Sequence, residues 1–316
     1  MKDLLITGGL GYVGSFTSKL IKKNFSKIIS IDNLSRANLY AKKFCKNYKI
    51  NLHDEKKVKK ILLKYNIKTV FHLAAFTCVR ESLKKKKLYK KNNYIDQIKF
   101  IKLCKSASVK NFIFSSSLSI YDKSYIKKDL SPYSKYKLKI EKYLKKNSSK
   151  NFKVIILRYP NISGASNKGD LGDRNFHISR IFRIAYSKII RNKKITVFLD
   201  NKKRFPIRNY VHVMDIAKIN FDMIKMIDYQ KKNFVIYDIQ SKLNLSNFDI
   251  IKKIFSILKK ETKINFKLID KHESFSTIKK KDNYISKNFN FYNSKINTIT
   301  KSNLLWFKNK INKTSI

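Results

Sequence analysis

Short apolar runs alternate with longer segments of helical periodicity through the first half of this 316-residue chain. The apolar runs predict strands at 3–6, 27–31, 48–52, 69–73, 111–115 and 153–157. The periodic segments predict helices near 14–23, 54–65, 92–108 and 133–147. Alternation of this kind is typical of an α/β fold with a Rossmann-type, doubly wound parallel sheet.

The alternation becomes less regular after Arg158. Further helices are predicted near 178–191, 212–228, 246–260 and 300–312, and further strands near 195–198 and 234–238. We therefore expect a first domain over residues 1–160 and a smaller C-terminal domain over residues 161–316. Segments near 204–240 are expected to return to the first domain.

Four of the chain's seven glycines lie within its first fourteen residues, directly after the first apolar run. Gly8 permits a tight turn from strand to helix, and Gly11 removes the side chain where a ligand must approach. Gly14 allows the first helix to pack closely. Because such a turn brings a pyrophosphate onto backbone N–H groups at a helix N-terminus, the pattern predicts a dinucleotide site.

The second predicted strand ends in Asp32, eighteen residues beyond Gly14. A carboxylate at this place accepts hydrogen bonds from the adenosine ribose hydroxyls, and it would repel the extra phosphate of NADP. NAD is therefore the predicted cofactor.

The cysteine and histidine positions show no metal-ligand spacing, and the three cysteines are an odd count. We find no N-terminal signal pattern and no apolar run long enough to span a membrane. These observations predict a soluble cytoplasmic protein with reduced thiols and no metal site.

The formal net charge of +51 would attract any polyanion. However, the lysines are spread along nearly every predicted helix, as in 56–60 and 84–87, and no nucleic-acid fold signature accompanies them. This favours a compositional bias on solvated faces, so we expect no specific nucleic-acid partner. The charge could still help to collect a phosphorylated substrate.

A second informative cluster follows the fifth predicted strand, which leads into Ser115, Ser116 and Ser117. Ligands of open α/β sheets bind at such carboxyl ends of strands. Tyr133 and Lys137 follow on a predicted helix, one turn apart and therefore on one face. A phenol is a poor base at neutral pH, but a neighbouring ammonium and a nicotinamide ring would favour the phenolate. The pair therefore predicts an acid–base site.

The chain resembles the extended short-chain dehydrogenase/reductases, specifically the NAD-dependent epimerase/dehydratase family and most closely its UDP-glucose 4-epimerases. The resemblance covers about the first 165 residues and a stretch near 204–216. It rests on Thr7–Ser15, Asp32–Leu34, Phe71–Ala75, Glu81–Ser82, Asn92–Asn93, Asn111–Ser117, Ser131–Tyr133 with Lys137 and Glu141, Leu157–Tyr159 with Asn161 and Gly164, and Arg208–Val213.

The resemblance implies a nucleotide-sugar 4-epimerase, most closely one that interconverts UDP-glucose and UDP-galactose through a transient 4-keto sugar. Tyr133 would remove the proton from the sugar's 4-hydroxyl, Ser117 would hydrogen-bond the same oxygen, and Lys137 would hold the nicotinamide ribose. Asn161 and Arg208 would lie on the substrate side, in a substrate-binding second domain.

Cofactor contacts are implied for Gly8, Gly11, Tyr12, Val13, Gly14, Asp32, Asn33, Asn51, Leu52, Leu73, Ala74, Ala75, Asn93, Tyr133, Lys137 and Tyr159. Substrate contacts are implied for Ser117, Tyr133, Asn161 and Arg208. Members of the family commonly pair through two helices per subunit, here 92–108 and 133–147, which implies a homodimer.

The sequence also departs from the family's pattern. Asn51 and Asn209 stand where aspartates are usual, and Thr77 stands where a lysine is usual. The asparagine that commonly faces the substrate is replaced near His177, and no Arg-x-Gly-Asp segment occurs around Lys271–Ser274. These departures leave the sugar and the nucleotide open.

Three alternatives remain. A 4,6-dehydratase would need an Asp-Glu pair after the catalytic hydroxyl, whereas Leu118 and Ser119 follow Ser117. Another epimerase or a net oxidoreductase of the same superfamily stays open. A nucleic-acid-binding protein with a decayed Rossmann fold is supported by the charge, but the retention of Ser117, Tyr133 and Lys137 together speaks against it.

Overall fold

A computed structural model of the chain describes residues 4–121, 129–174, 181–269, 285 and 288–314. The chain divides into two compact units. The first unit consists of Met1–Ile120, Ser131–Tyr159 and Ile216–Ile239, and the second of Tyr121–Leu130, Pro160–Asp215 and Gln240–Ile316. His177 and Lys271–Ser274, where the sequence departs from the family's pattern, lie outside the described residues.

The strands and helices are numbered in chain order. The strands are β1 Leu4–Thr7, β2 Ile28–Ile31, β3 Lys46–Tyr48, β4 Thr69–His72, β5 Asn111–Ser117, β6 Lys153–Tyr159, β7 Asn161–Ser163, β8 Ile195–Leu199, β9 Ile207–His212, β10 Phe234–Asp238, β11 Asn244–Ser246 and β12 Ile264–Leu268. The α-helices are α1 Tyr12–Ile21, α2 Glu55–Lys64, α3 Val79–Lys84, α4 Lys86–Lys90, α5 Asp96–Ser106, α6 Pro132–Asn147, α7 Ile181–Ile190, α8 Val213–Met226, α9 Asn247–Leu258 and α10 Ile296–Thr314. A π-helical turn over Lys91–Ile95 joins α4 to α5.

A seven-stranded sheet forms the centre of the first unit, in the order β10-β6-β5-β4-β1-β2-β3. Every neighbouring pair of strands in it is parallel. β1 and β2 are buried along their whole length, as expected of strands that are covered on both faces. Apolar side chains of α2, α5 and α6 pack on one face of this sheet. The parallel α/β sheet predicted from the alternation is therefore confirmed.

The third strand and the helix near 92–108 differ from their predictions. β3 ends at Tyr48, because its pairing partner β2 ends at Ile31, opposite that residue. The helical segment already begins at Lys86 and passes through the π-helical turn, and α3 was not predicted. Lysines occupy positions 84–87, so the apolar periodicity that would indicate a helix is interrupted in this segment.

The second unit contains two small sheets, ordered β11-β9-β7 and β12-β8. Its core surrounds Trp306 of α10, which is fully buried. Gly172 packs on this indole so closely that an added Cβ would lie 2.5 Å from the ring. β7, β9, β11 and β12 were not predicted, because β7 and β11 have only three residues and all four pair with distant segments.

Two further observations bear on the expected class of protein. No group of three or more histidine, cysteine, aspartate or glutamate side chains among the described residues could hold a metal ion. Within that same part of the chain, no helix has both the length and the apolar character needed to cross a membrane.

Candidate active site

The glycine turn between β1 and α1 is closed by backbone contacts. Gly8 has a φ of +68°, which favours glycine, and its N–H donates to the Ile31 carbonyl at 2.8 Å. The Gly11 N–H donates to the Gly8 carbonyl at 3.0 Å. A Cβ on Gly14 would lie 2.2 Å from the Gly8 oxygen and 2.8 Å from the Gly9 Cα. Gly14 therefore lets α1 begin directly against the turn.

The space in front of the turn fits a pyrophosphate. A Cβ added to Gly11 would meet only the Gly8 oxygen, at 3.1 Å, among atoms within 4 Å. Gly11 precedes the first helical residues, Tyr12 and Val13, so the positive end of the helix dipole lies here. An uncharged backbone cradle at a helix N-terminus is what a dinucleotide diphosphate requires.

Asp32 directly follows β2 and is buried. Its Oδ2 accepts the Leu10 N–H at 3.1 Å and its Oδ1 accepts the Leu34 N–H at 2.8 Å. Burial raises the pKa of Asp32, and these backbone N–H groups oppose the rise. Each carboxylate oxygen has a second lone pair, so Asp32 can still accept ribose hydroxyls.

Asn33 and Asn51 form an exposed amide pair beside this carboxylate, with 2.9 Å between Nδ2 of Asn33 and Oδ1 of Asn51. Leu52 follows Asn51 in the turn after β3. An amide at position 51 can donate or accept, whereas the aspartate usual in the family can only accept. These residues adjoin the segment where the sequence predicted the adenosine end of the cofactor.

The loop after β4 lies against the glycine turn. The N–H groups of Leu73 and Ala74 donate to the carbonyl and the hydroxyl of Thr7, at 3.1 and 3.2 Å. Gly8 touches Ala74, since an added Cβ would lie 3.0 Å from the Ala74 backbone. Leu73, Ala74 and Ala75 are half-buried. The loop therefore borders the same cradle.

Asn93 lies in the π-helical turn and holds the end of this loop. Its Oδ1 accepts the Phe76 N–H at 3.0 Å, and its Nδ2 donates to the Phe76 carbonyl at 2.7 Å. Such turns often occur at functional sites. Asn93 therefore fixes the position of the loop, a role that the sequence did not indicate.

Tyr133 and Lys137 lie in the first turns of α6. Ser131 caps this helix by accepting the Ser134 N–H, and Pro132 occupies its first turn. Tyr133 is buried, and its backbone N–H donates to the Ser82 hydroxyl at 3.3 Å. The structure thus places the phenol and the ammonium one turn apart, as their spacing predicted.

Lys137 and Ser134 attach this helix to the end of β5. The Lys137 Nζ donates to the Ser115 carbonyl at 2.6 Å. The Ser117 Oγ accepts the Ser119 N–H at 3.1 Å, and the Ser134 Oγ donates to the Ser119 Oγ at 2.9 Å. The three residues predicted to be catalytic, Ser117, Tyr133 and Lys137, are therefore carried by two directly bonded elements of one unit.

Lys137 is fully buried, and this burial lowers its pKa to about 7, while Glu141 one turn later opposes the shift. The same ammonium lies 4.5 Å from the centroid of the Phe114 ring. A lysine in this state changes its protonation near neutral pH. Its charge can therefore respond to groups that enter the site.

A Lys137→Met variant is expected to change how stability depends on pH. Between about pH 7 and the ordinary lysine pKa of 10.5, the unfolded chain binds a proton at Lys137 that the folded chain does not bind. The native protein should therefore gain about 1 kcal/mol per pH unit over this window relative to the variant. Urea unfolding of both ligand-free proteins at pH 7, 8, 9 and 10 measures this difference.

The exposed Lys135 on the same helix supplies the control. A Lys135→Met variant, measured over the same pH range, shows what the loss of an exposed lysine from this helix does. A constant difference between Lys137→Met and the native protein at all four pH values would show that the buried lysine keeps its ordinary affinity for protons.

A buried charge network lies beside the residues predicted to be catalytic. Arg158 donates through Nε and Nη2 to Glu141, at 3.0 and 2.6 Å, and through Nη1 to Asp238 at 3.3 Å. Ser116 also donates its hydroxyl to Glu141. The network ties α6 to β5, β6 and β10. Asp238 could not be identified from the sequence as a partner of Arg158, because it follows Arg158 by 80 positions.

Tyr159, a predicted cofactor residue at the end of β6, is buried. Its hydroxyl donates to Asn220 at 2.6 Å, and Asn220 donates to Thr17 on α1 at 2.9 Å. Tyr159 thereby links α8 to the helix that follows the glycine turn.

The predicted substrate residues Asn161 and Arg208 lie in the second unit, on the neighbouring strands β7 and β9. Asn161 stands opposite Tyr210, so Arg208, two residues before Tyr210, shares its face of the sheet. Both side chains are half-buried. The Asn161 Nδ2 contacts the Asn209 carbonyl at 3.4 Å.

Asn209 replaces an aspartate, and its contacts account for the change. Its Nδ2 donates to the carbonyls of Ser241 and Leu243 and to the Asn244 side chain, at 2.8, 3.3 and 3.0 Å. Its Oδ1 accepts the Ser241 N–H at 3.1 Å. Only an amide supplies both roles, since a carboxylate donates no hydrogen bond.

Comparison with known proteins finds relatives that match most of the chain. A UDP-glucose 4-epimerase of Schizosaccharomyces pombe is 29% identical over 259 residues, which are 73% of this chain and 72% of that protein. A UDP-glucose 4-epimerase of Lactobacillus helveticus is 29% identical over 263 residues, with 79% of each chain covered.

The crystal structure of UDP-glucose 4-epimerase from Bifidobacterium longum in complex with NAD+ and UDP has the same fold, with a TM-score of 0.84 at 23% identity. The superposition covers 98% of this chain and 99% of that one. The model of the NAD dependent epimerase/dehydratase family matches residues 4–237. This match confirms the resemblance drawn from the motifs and NAD as the predicted cofactor. The chain belongs to the NAD dependent epimerase/dehydratase family.

Proposed function

We propose that this protein is an NAD-dependent nucleotide-sugar 4-epimerase that interconverts UDP-glucose and UDP-galactose. The observation that carries the proposal is the attachment of α6, which carries Tyr133 and Lys137, to the end of β5, which carries Ser117. Both elements belong to the unit that holds the glycine turn. The relatives named UDP-glucose 4-epimerase support the choice of substrate.

Tyr133 and Ser117 act on the hydroxyl group that reacts. Tyr133 takes the proton from the sugar's 4-hydroxyl, while Ser117 hydrogen-bonds the same oxygen and fixes its position. Loss of this proton together with the hydride of C4 leaves the 4-keto sugar. After this sugar has turned over, Tyr133 returns the proton to that oxygen. Hydride returned to the opposite face of C4 inverts this carbon.

Lys137 and the glycine turn would hold the cofactor for this chemistry. When bound, NAD supplies the hydride acceptor and donor of the reaction. Lys137 binds the nicotinamide ribose, and its buried ammonium favours negative charge on the neighbouring phenol oxygen. Asp32 binds the adenosine ribose, while Gly11 and the N-terminus of α1 receive the pyrophosphate.

Asn161 and Arg208 are proposed to bind the substrate's nucleotide diphosphate. They share one face of the β11-β9-β7 sheet. A guanidinium matches the geometry of two phosphates, and an amide can donate to either phosphate or sugar oxygens.

The first test is conversion of UDP-galactose by the native protein in the presence of NAD, followed by proton NMR. We expect the anomeric signal of UDP-glucose to appear until both sugars reach equilibrium, with no net NADH formed. Net accumulation of NADH at 340 nm would instead indicate an oxidoreductase. A folded protein that binds NAD but leaves UDP-galactose unchanged would refute the UDP-galactose assignment.

Three further predictions concern partners and location. A homodimer through α5 and α6, the absence of a specific nucleic-acid partner and a cytoplasmic location stay predictions. Leu88 and Ile95, at the start of the helical segment that includes α5, are exposed large apolar side chains, which supports an interface there.

A further inference from the structure

Arg36 occupies an unusual position between two loops of the first unit. Its Nη2 donates to Glu81 on α3 at 2.9 Å, and its guanidinium carbon lies 4.9 Å from the centroid of the Phe76 ring. Its Nη1 is buried and has no hydrogen-bond partner. A buried guanidinium donor without an acceptor destabilises the folded protein, unless a ligand supplies the acceptor.

The position of Arg36 relative to the glycine turn follows from its neighbours in the chain. Leu34, with a φ of +66°, turns the backbone after Asp32. The Asn38 N–H then donates to the Leu10 carbonyl at 2.6 Å, which ties the segment to the glycine turn. Phe76, on the other side of Arg36, belongs to the loop after β4 that contacts Gly8.

Glu81 fixes the guanidinium in this place. Burial opposes ionisation of Glu81, but hydrogen bonds from Arg36 and Tyr89 outweigh it and lower the pKa of the carboxyl. Tyr89 donates to Glu81 at 2.9 Å, and Lys85 donates at 3.3 Å. Glu81 therefore stays a carboxylate. It binds Nη2 of the Arg36 guanidinium, while Nη1 has no acceptor.

Lysine and arginine are absent from three segments around the glycine turn. The chain has 72 lysines and arginines, yet residues 4–18, 28–35 and 69–79 contain none. These three segments form the strands and loops around the glycine turn. Thr77 also leaves the loop after β4 without a cation. Arg36 directly follows the second of these segments, in which Asp32 is the one acidic residue. It is therefore a cation that adjoins the cradle.

We propose that Arg36 donates its free Nη1 to the pyrophosphate of the bound dinucleotide, supplying the cation that the loop after β4 lacks. The inference rests on the proposed function, because it assumes that the cradle receives NAD. Arginine suits this role, since its fork can bind Glu81 on one edge and a phosphate on the other.

The test measures binding of NAD, ADP-ribose and adenosine to nucleotide-free protein by calorimetry and ligand-observed NMR. Arg36→Met should weaken NAD and ADP-ribose about 10- to 100-fold, as expected for one charged hydrogen bond, and leave adenosine unchanged. Arg36→Lys should restore part of the loss. Arg191→Met, which removes an exposed arginine, should bind all three like the native protein.

The outcomes separate this inference from the proposed function. Native protein that binds no NAD would refute the proposed function and this inference with it. If the native protein and Arg36→Met bind NAD equally tightly, the proposed role of Arg36 is refuted. The proposed function is then unaffected. An equal loss for adenosine and ADP-ribose would show that Arg36 only holds the loops together, and it would overturn the contact with the pyrophosphate.

Discussion

Replacing Tyr133 with phenylalanine is expected to lower kcat for UDP-galactose epimerisation by about 10²- to 10⁴-fold, the range for loss of an acid–base group. The ring stays in its buried position at the start of α6, so packing is preserved. Only the oxygen that is proposed to exchange the proton is lost. Initial rates at saturating UDP-galactose measure this effect.

Tyr136 on the same helix provides the matched control. Its ring stacks on Tyr94 with centroids 5.9 Å apart, and no part in the chemistry is proposed for its hydroxyl. Tyr136→Phe should retain the native rate, and both variants should retain NAD binding and the native melting temperature. Full activity in Tyr133→Phe would eliminate the phenol as the base.

Replacing Gly14 with alanine is expected to remove NAD binding and to destabilise the fold. The new Cβ would lie 2.2 Å from the Gly8 oxygen and 2.8 Å from the Gly9 Cα, and neither backbone atom can rotate away. Overpacking of this kind costs about 1–3 kcal/mol. The turn must open to relieve it, which moves the N–H groups that would hold the pyrophosphate. Thermal melts without NAD and NAD titrations measure both effects.

Gly11→Ala separates the two effects. Gly11 has an ordinary φ of −67°, and its Cβ would meet only the Gly8 oxygen at 3.1 Å. This variant should therefore melt close to the native protein but bind NAD at least about tenfold more weakly, because the methyl group enters the space of the pyrophosphate. Tight NAD binding by Gly11→Ala would place the pyrophosphate elsewhere, and a native melt for Gly14→Ala would contradict the close contact.

The glycine turn and the shared helix face of the proposed acid–base pair were predictable because their geometry is local. Glycines spaced three apart after an apolar strand define a turn and a helix start within a few residues. Tyr133 and Lys137 share a face because four positions make about one helical turn. Strands of the central sheet were predicted for a related reason, since their apolar runs are continuous when both faces are covered.

The small sheet that carries the proposed substrate residues could not be predicted in the same way. β7 and β11 have only three residues each, too few to show a period. Asn209 looked like a departure from the family's pattern, but its four hydrogen bonds reach Ser241, Leu243 and Asn244 across the β9–β11 pairing. That pairing is a feature of the tertiary structure. The sequence alone therefore does not show why an amide stands at position 209.

By itself, the sequence determined the parallel α/β sheet, the dinucleotide turn, NAD as cofactor and the spacing of the proposed acid–base pair. Only the tertiary structure decided which charges meet. Arg36 pairs with Glu81 across 45 positions, and Arg158 pairs with Asp238 across 80. Such partners leave no periodic trace in a sequence, because their approach depends on the packing of whole strands and helices and not on the order of neighbouring residues.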